Sequence, residues 1–177
     1  MDGTILSRII FFRFAKMLDI KCLTVFISFQ GGRLALQIYT SRFGTVVVKA
    51  EDVLSFAGGI PAFEHLQEFF LHPIPENPAF TWLQAAADPE VAFLLADPFL
   101  FFPGYAVELP AGVQGELNIK QPADALVYTV VTIPDGDIRQ ATANLVGPVV
   151  INPTARRGMQ IILDGTKYTT RYPLFKE

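Results

Sequence analysis

FTWLQAAADPEVAFLLADPFLFFPGY, Phe80 to Tyr105, carries the only tryptophan of the chain and five of its sixteen phenylalanines. Two apolar runs with strand character flank the acidic step Asp88-Pro89-Glu90, so the first part reads as two β-strands joined by a short turn. Asp97-Pro98 then starts a loop whose path is set by Pro98 and Pro103-Gly104. Asp before Pro holds a turn through its side chain, which is the expected role of Asp88 and Asp97. Phe99, Phe101, Phe102 and Tyr105 cannot all point inward from such a loop, because successive side chains alternate. Either these rings pack into the core, or some form an exposed aromatic cluster beside Asp97, the composition of a protein-interface core.

Outward from this stretch, the rest of the chain also reads as short strands separated by turn residues. RLALQIYTS (33–41) alternates Leu34, Leu36 and Ile38, and Gly44 precedes the β-branched run Thr45 to Val48, which predicts a hairpin. Val53 to Phe56 is a further strand, stopped by Gly58-Gly59-Ile60-Pro61. A helical turn is expected over 62–67, then a strand at 69–71, and Pro73, Pro75 and Pro78 bar a helix after it. Beyond Tyr105, short strands are expected at 106–109, 125–133, 142–146, 149–151, 159–163 and 167–170. One or two helical turns are expected at 111–118, and Asp164-Gly165 signals a hairpin. About ten strands with turn markers every 8–12 residues predict an all-β fold, a single antiparallel β-barrel-like or sandwich domain with one or two short helical turns.

Length and composition agree: 177 residues suit one domain, and 51% hydrophobic residues exclude a disordered chain. The net charge of −3 is unevenly spread. Counting along the chain, residues 1–49 sum to +5, residues 50–152 to −11 and residues 153–177 to +3. An acidic middle argues against direct nucleic-acid binding, which needs cations, and attracts a basic protein partner. Residues 1–32 are apolar but broken by Arg8, Arg13, Lys16, Asp19 and Lys21. Its longest uncharged run, Cys22 to Gly32, is too short for a membrane span, and the segment lacks the order of a secretory signal. It is read as an extension ahead of a domain at 33–177: a peripheral segment, residues upstream of the true start, or a basic amphipathic helix on a membrane surface.

No catalytic pattern is present. The sequence has no nucleophile elbow, no phosphate-binding loop and no dinucleotide fingerprint. With one cysteine and two histidines there is little for nucleophilic or metal chemistry to use. His65 and His72 would lie about 10 Å apart even on one helix, too far for a shared ion. No cofactor and no metal are expected. Asn144 and Asn152 interrupt apolar strands. They either satisfy a bulge or strand end or, for Asn144 especially, recognise a partner's backbone.

Taken together, FGTVVV (43–48), SFAGGIPAFEHLQEF (55–69), the 80–105 stretch, VVTIP (130–134), TANLVGPVVIN (142–152) and RRGMQIILDGTKYTTRYPL (156–174) resemble the flagellar assembly factor FliW family. The resemblance runs in unbroken order from Arg33 to Leu174, 142 of 177 residues. It implies a mostly antiparallel β-barrel-like fold without enzymatic activity, in a cytoplasmic protein that is a monomer when free. It also implies two partners: flagellin, which the protein chaperones, and the RNA-binding translational repressor CsrA, which it antagonises so that repression of flagellin mRNA is relieved. Asp97, Phe99, Phe101, Phe102, Tyr105 and Asn144 are the contact candidates. The alternative from another class is a barrel that binds a small apolar or carbohydrate ligand. The sequence departs from the family pattern at Ala62, where glycine is usual, so a positive φ there would be strained. Tyr172 stands where histidine is more usual, and residues 1–30 have no counterpart.

Overall fold

In the computed structural model, which describes Phe26–Gln30 and residues 33–175, a seven-strand barrel closes around the apolar faces of the strands read from the sequence. The strands are β1 Phe26–Gln30, β2 Arg33–Thr40, β3 Gly44–Lys49, β4 Val53–Ser55, β5 Glu68–Pro73, β6 Phe80–Ala85, β7 Ala92–Ala96, β8 Leu126–Thr132, β9 Thr142–Asn152, β10 Arg157–Gln160 and β11 Tyr172–Pro173. Two short helices, α1 Pro98–Phe101 and α2 Ala111–Glu116, lie between β7 and β8. Strands β4 to β10 pair in chain order and antiparallel, and β10 closes onto β4 through one parallel step, Arg157 opposite Ser55. β11 continues the sheet along the first residues of β9.

The barrel is filled rather than hollow. Leu54, Phe56, Phe69, Leu83, Leu95, Val149 and Ile151 meet in its interior, and Phe56 and Phe69 pack edge to face at 5.0 Å. Burying each such side chain contributes about 1.5–3 kcal/mol. The closing strand must pass close to one of these rings. A Cβ at Gly158 of β10 would lie 2.3 Å from the Phe56 ring, so only glycine fits there.

The β1–β2–β3 sheet covers part of the barrel's outer surface. Ile38 and Val48 pack on Phe70, whose side chain points away from the lumen. The β2–β3 tip is pinned: Phe43 stacks on His72 at 4.3 Å and meets Trp82 edge-on at 5.8 Å. Arg42 lies over the Trp82 ring at 4.3 Å. The buried Thr40 hydroxyl donates to the Gly44 carbonyl and accepts from the Phe43 N–H, each at 3.0 Å, which fixes the turn.

Several expectations need correction. Residues 62–67 form turns without a helix, because the Ile60–Phe63 bridge closes a tight loop there. Residues 106–109 are extended but pair with no strand. The strands expected at 142–146 and 149–151 are one eleven-residue strand, β9. It survives Gly147-Pro148 because the Asn144 carboxamide oxygen accepts from the Val146 and Gly147 N–H groups at 3.2 and 2.9 Å. The pairing register with β8 shifts between Thr129 and Val131, and Pro148, which has no N–H, sits opposite Thr129 in a widened step. Asp164-Gly165 does turn the chain, but residues 167–170 add no strand. Instead the Leu145 N–H donates to the Thr169 carbonyl at 3.1 Å. Phe26–Gln30, placed in the extension by its sequence, pairs antiparallel with β2 from Phe26 opposite Gln37 to Gln30 opposite Arg33. The expectations for residues 1–25 lie outside the described residues.

Candidate partner-binding surface

Where β7 ends, Asp97 converts strand into helix. Its carboxylate accepts from the Phe99 N–H at 2.9 Å, Pro98 occupies the first helical position, and the Phe102 N–H closes the turn onto the Pro98 carbonyl at 2.9 Å. Proline is pre-set for this position and the capped amide needs no other partner. The aromatic loop expected from sequence is therefore a one-turn helix, α1, that directs each side chain separately.

Phe99 and Leu100 point outward and are 52% and 65% exposed. Leu100 was missed at the sequence level, since an isolated leucine among phenylalanines gives no signal of its own. Phe101 is half-buried against Phe80 at 5.2 Å and Phe175 at 6.5 Å. Phe102 and Tyr105 belong to the core rather than to an exposed cluster. Phe102 packs edge-on against Tyr172 at 4.7 Å, and the Tyr105 hydroxyl donates to the Leu145 carbonyl at 2.9 Å. Burial, then the neighbouring Tyr168, pushes the Tyr105 phenol far above its ordinary value. Tyr168 ties the same segment down, because its hydroxyl accepts from the Ala106 N–H at 2.9 Å. Asn144 is half-buried and holds the β9 irregularity described above. Asn152, buried at the far end of β9, donates to the Leu117 and Asn118 carbonyls at 3.0 Å each, which anchors the end of α2.

Beside α1 runs a groove of about 460 Å³, with Phe99, Val107, Leu109, Ile119 and Val127 among its walls and Lys120 at its rim. Its lining is apolar except for Lys120, Gln121 and Gln114. Asp97 sits close enough to Tyr128 to add to burial in raising that phenol's pKa. Other carboxylates hold local structure. Asp88 accepts from the Glu90 N–H at 2.9 Å, Glu90 accepts from the Ser41 hydroxyl, and Asp137 pairs with Arg139 at 2.9 Å. His72 and Glu68 lie on a strand, so they do not align with His65 on a helix. The arrangement offers an aromatic protrusion and an apolar groove on an acidic stretch of chain.

The fold and sequence have clear relatives. The family model described as "FliW protein" matches residues 37–174. The flagellar assembly factor FliW of Moorella thermoacetica is 77% identical over 142 residues, covering 80% of this chain and 90% of that protein. The FliW of Syntrophomonas wolfei is 38% identical over 141 residues, covering 80% and 90%. A crystal structure of the flagellar assembly factor FliW superposes with a TM-score of 0.74 at 35% identity, over 80% of this chain and 98% of that one. By these matches the chain belongs to the FliW family of flagellar assembly factors.

Proposed function

We propose that this FliW-family chain is a non-catalytic cytoplasmic regulator with two protein partners. It binds flagellin as a chaperone, and it binds and antagonises the translational repressor CsrA, relieving repression of flagellin mRNA without touching nucleic acid itself. The observation that carries a binding role is α1. A capped, proline-started turn exposes Phe99 and Leu100 on a base of buried aromatic rings, beside an apolar groove. Such rigid aromatic anchors lose little conformational entropy on binding. The net −11 of residues 50–152 adds attraction for a basic partner. Of the six contact candidates, Phe99 with its flank Phe101 remains at the surface, Asp97 positions it, and Leu100 joins it. Phe102 and Tyr105 are buried in the core, and Asn144 holds the β9 irregularity. The filled barrel interior supports a protein partner over a small ligand held inside the barrel.

Co-purification and titration with purified flagellin and purified CsrA test the proposal. Binding of each, weakened by Phe99→Ala and Leu100→Ala in variants that keep the parent's thermal transition, is the expected result. Absence of binding to either partner would overturn it.

A further inference from the structure

We infer that the free edge of β3 is a strand-addition site that takes an extended, acidic segment of another polypeptide. Among the described residues, β3 is the outer strand of the β1–β2–β3 sheet and pairs on one side only. The turn-closing pair Thr40–Gly44 fixes the hydrogen-bond phase of the hairpin, so the pairs Ile38–Val46 and Leu36–Val48 bond inward to β2. The N–H and C=O groups of Thr45 and Val47, and the Lys49 N–H, then point away from β2, while the Lys49 carbonyl caps the turn Ala50–Asp52. All three residues are exposed, Val47 to 52%. None of the described backbone hydrogen bonds outside strands and helices uses these outward groups.

An open edge of this kind is a template for a further strand, and proteins that avoid pairing blunt it with proline, bulges, interior charges or a covering element. β3 has none of these between Gly44 and Val48: its sequence GTVVVK is uncharged and β-branched until the final lysine. Tyr39 of β2 lies opposite Thr45 and is 57% exposed, which extends the apolar face that an added strand would meet.

Charge selects the occupant. Exposed cations flank the edge at both ends, Arg42 just before Gly44 and Lys49 at its close. The turn Ala50–Asp52 then leads the chain, with Glu51 and Asp52, off toward β4. Pairing of β3 with β3 of a second copy would bring the Arg42 end of each strand to the Lys49 end of the other, setting cation against cation twice. A segment with carboxylates at its two ends and alternating apolar residues between them meets a complementary edge, with main-chain bonds giving affinity.

The probe is a blocked peptide with alternating valine and threonine between two terminal glutamates, and its control has lysines in place of the glutamates. With saturating glutamate peptide, amide exchange at Thr45, Val47 and Lys49 should slow by about tenfold or more, while the inward-bonded Val46 and Val48 should not change. Val47→Pro removes an outward donor at an edge position where proline is tolerated, and it should weaken the glutamate peptide by about tenfold. Lys49→Glu, which leaves the backbone intact, should abolish the preference for the glutamate peptide. Unchanged exchange at the three outward amides, or equal binding of both peptides to the parent protein, would overturn the inference.

Discussion

Replacing Ala62 with glycine is expected to stabilise the protein. Ala62 sits in the exposed loop after Gly58-Gly59-Ile60-Pro61 with φ = +71°. A Cβ in this left-handed region costs about 1–2 kcal/mol. Glycine relieves that cost but gives the unfolded chain more freedom, which takes back about 0.4–1 kcal/mol. The Ala62 N–H donates to the Glu64 carboxylate at 2.9 Å through the main chain, so the substitution keeps that bond. The exposed methyl buries little. The net gain is then about 0.5–1 kcal/mol, which for a chain of this size raises Tm by about 1–4 °C. Gly59 in the same loop is the internal control. It also has positive φ (+67°), but a Cβ there would lie 2.5 Å from the Glu64 Cα, so Gly59→Ala should lower Tm sharply. Scanning calorimetry of both variants checks the reasoning. A lowered or unchanged Tm in Ala62→Gly would show that the loop does not hold Ala62 in a strained conformation.

Other substitutions separate core from surface. Phe102→Ala should cost about 3–5 kcal/mol by denaturant unfolding, because a buried ring leaves a cavity. Phe99→Ala should change stability by less than about 0.5 kcal/mol. Gly158→Ala forces a methyl into the Phe56 ring and should cost at least about 1–3 kcal/mol, read from the same unfolding curve. Acid stability should depend on Asp124, whose carboxylate accepts from the Lys120 and Gln121 N–H groups and is held below its ordinary pKa first by the Lys120 bond. A lowered folded-state pKa stabilises above the unfolded value of about 3.9, and that stability is lost as pH falls through the folded value. Tm of Asp124→Asn should therefore fall less than that of the parent on acidification below about pH 4. Glu68 has the opposite sign: burial raises its pKa, so its protonation favours the folded state as pH falls.

Much of the fold was legible because strand periodicity and turn residues act locally. The hairpin at Gly44, the two strands flanking Asp88-Pro89, β8 and the short helix at 111–116 follow from alternation, φ-restricted residues and breakers. The failures mark places where a side chain decides the backbone. Pro148 reads as a strand breaker, yet β9 continues because Asn144 absorbs the two N–H groups that the irregularity frees. Residues 106–109 have strand composition, but Tyr168 takes the Ala106 N–H that a neighbouring strand would have used. Tyr168 is far away in sequence, so no local pattern reports it, whereas Asn144 acts within three residues, a short-range side-chain-to-backbone bond of the kind expected at a bulge.

The candidate surface was half legible for a related reason. Composition revealed that residues 97–105 hold more rings than one loop can bury, but assigning each ring requires knowing that Asp97 starts a helix. A loop with strand-like alternation would send Phe99 and Phe101 one way and Phe102 the other. One helical turn instead puts Phe99 and Leu100 outside together, leaves Phe101 at the boundary and turns Phe102 inward toward Tyr172. The same Asp-Pro pair at 88–89 makes only a strand-to-strand turn, because Val91 returns directly to β7 and its carbonyl accepts from the Ala85 N–H at 2.9 Å. What distinguishes the two steps is the chain that follows. After Asp88-Pro89 the apolar residues have a waiting strand edge, whereas after Asp97-Pro98 β7 has ended, so the chain folds on itself and the surplus rings divide between core and solvent.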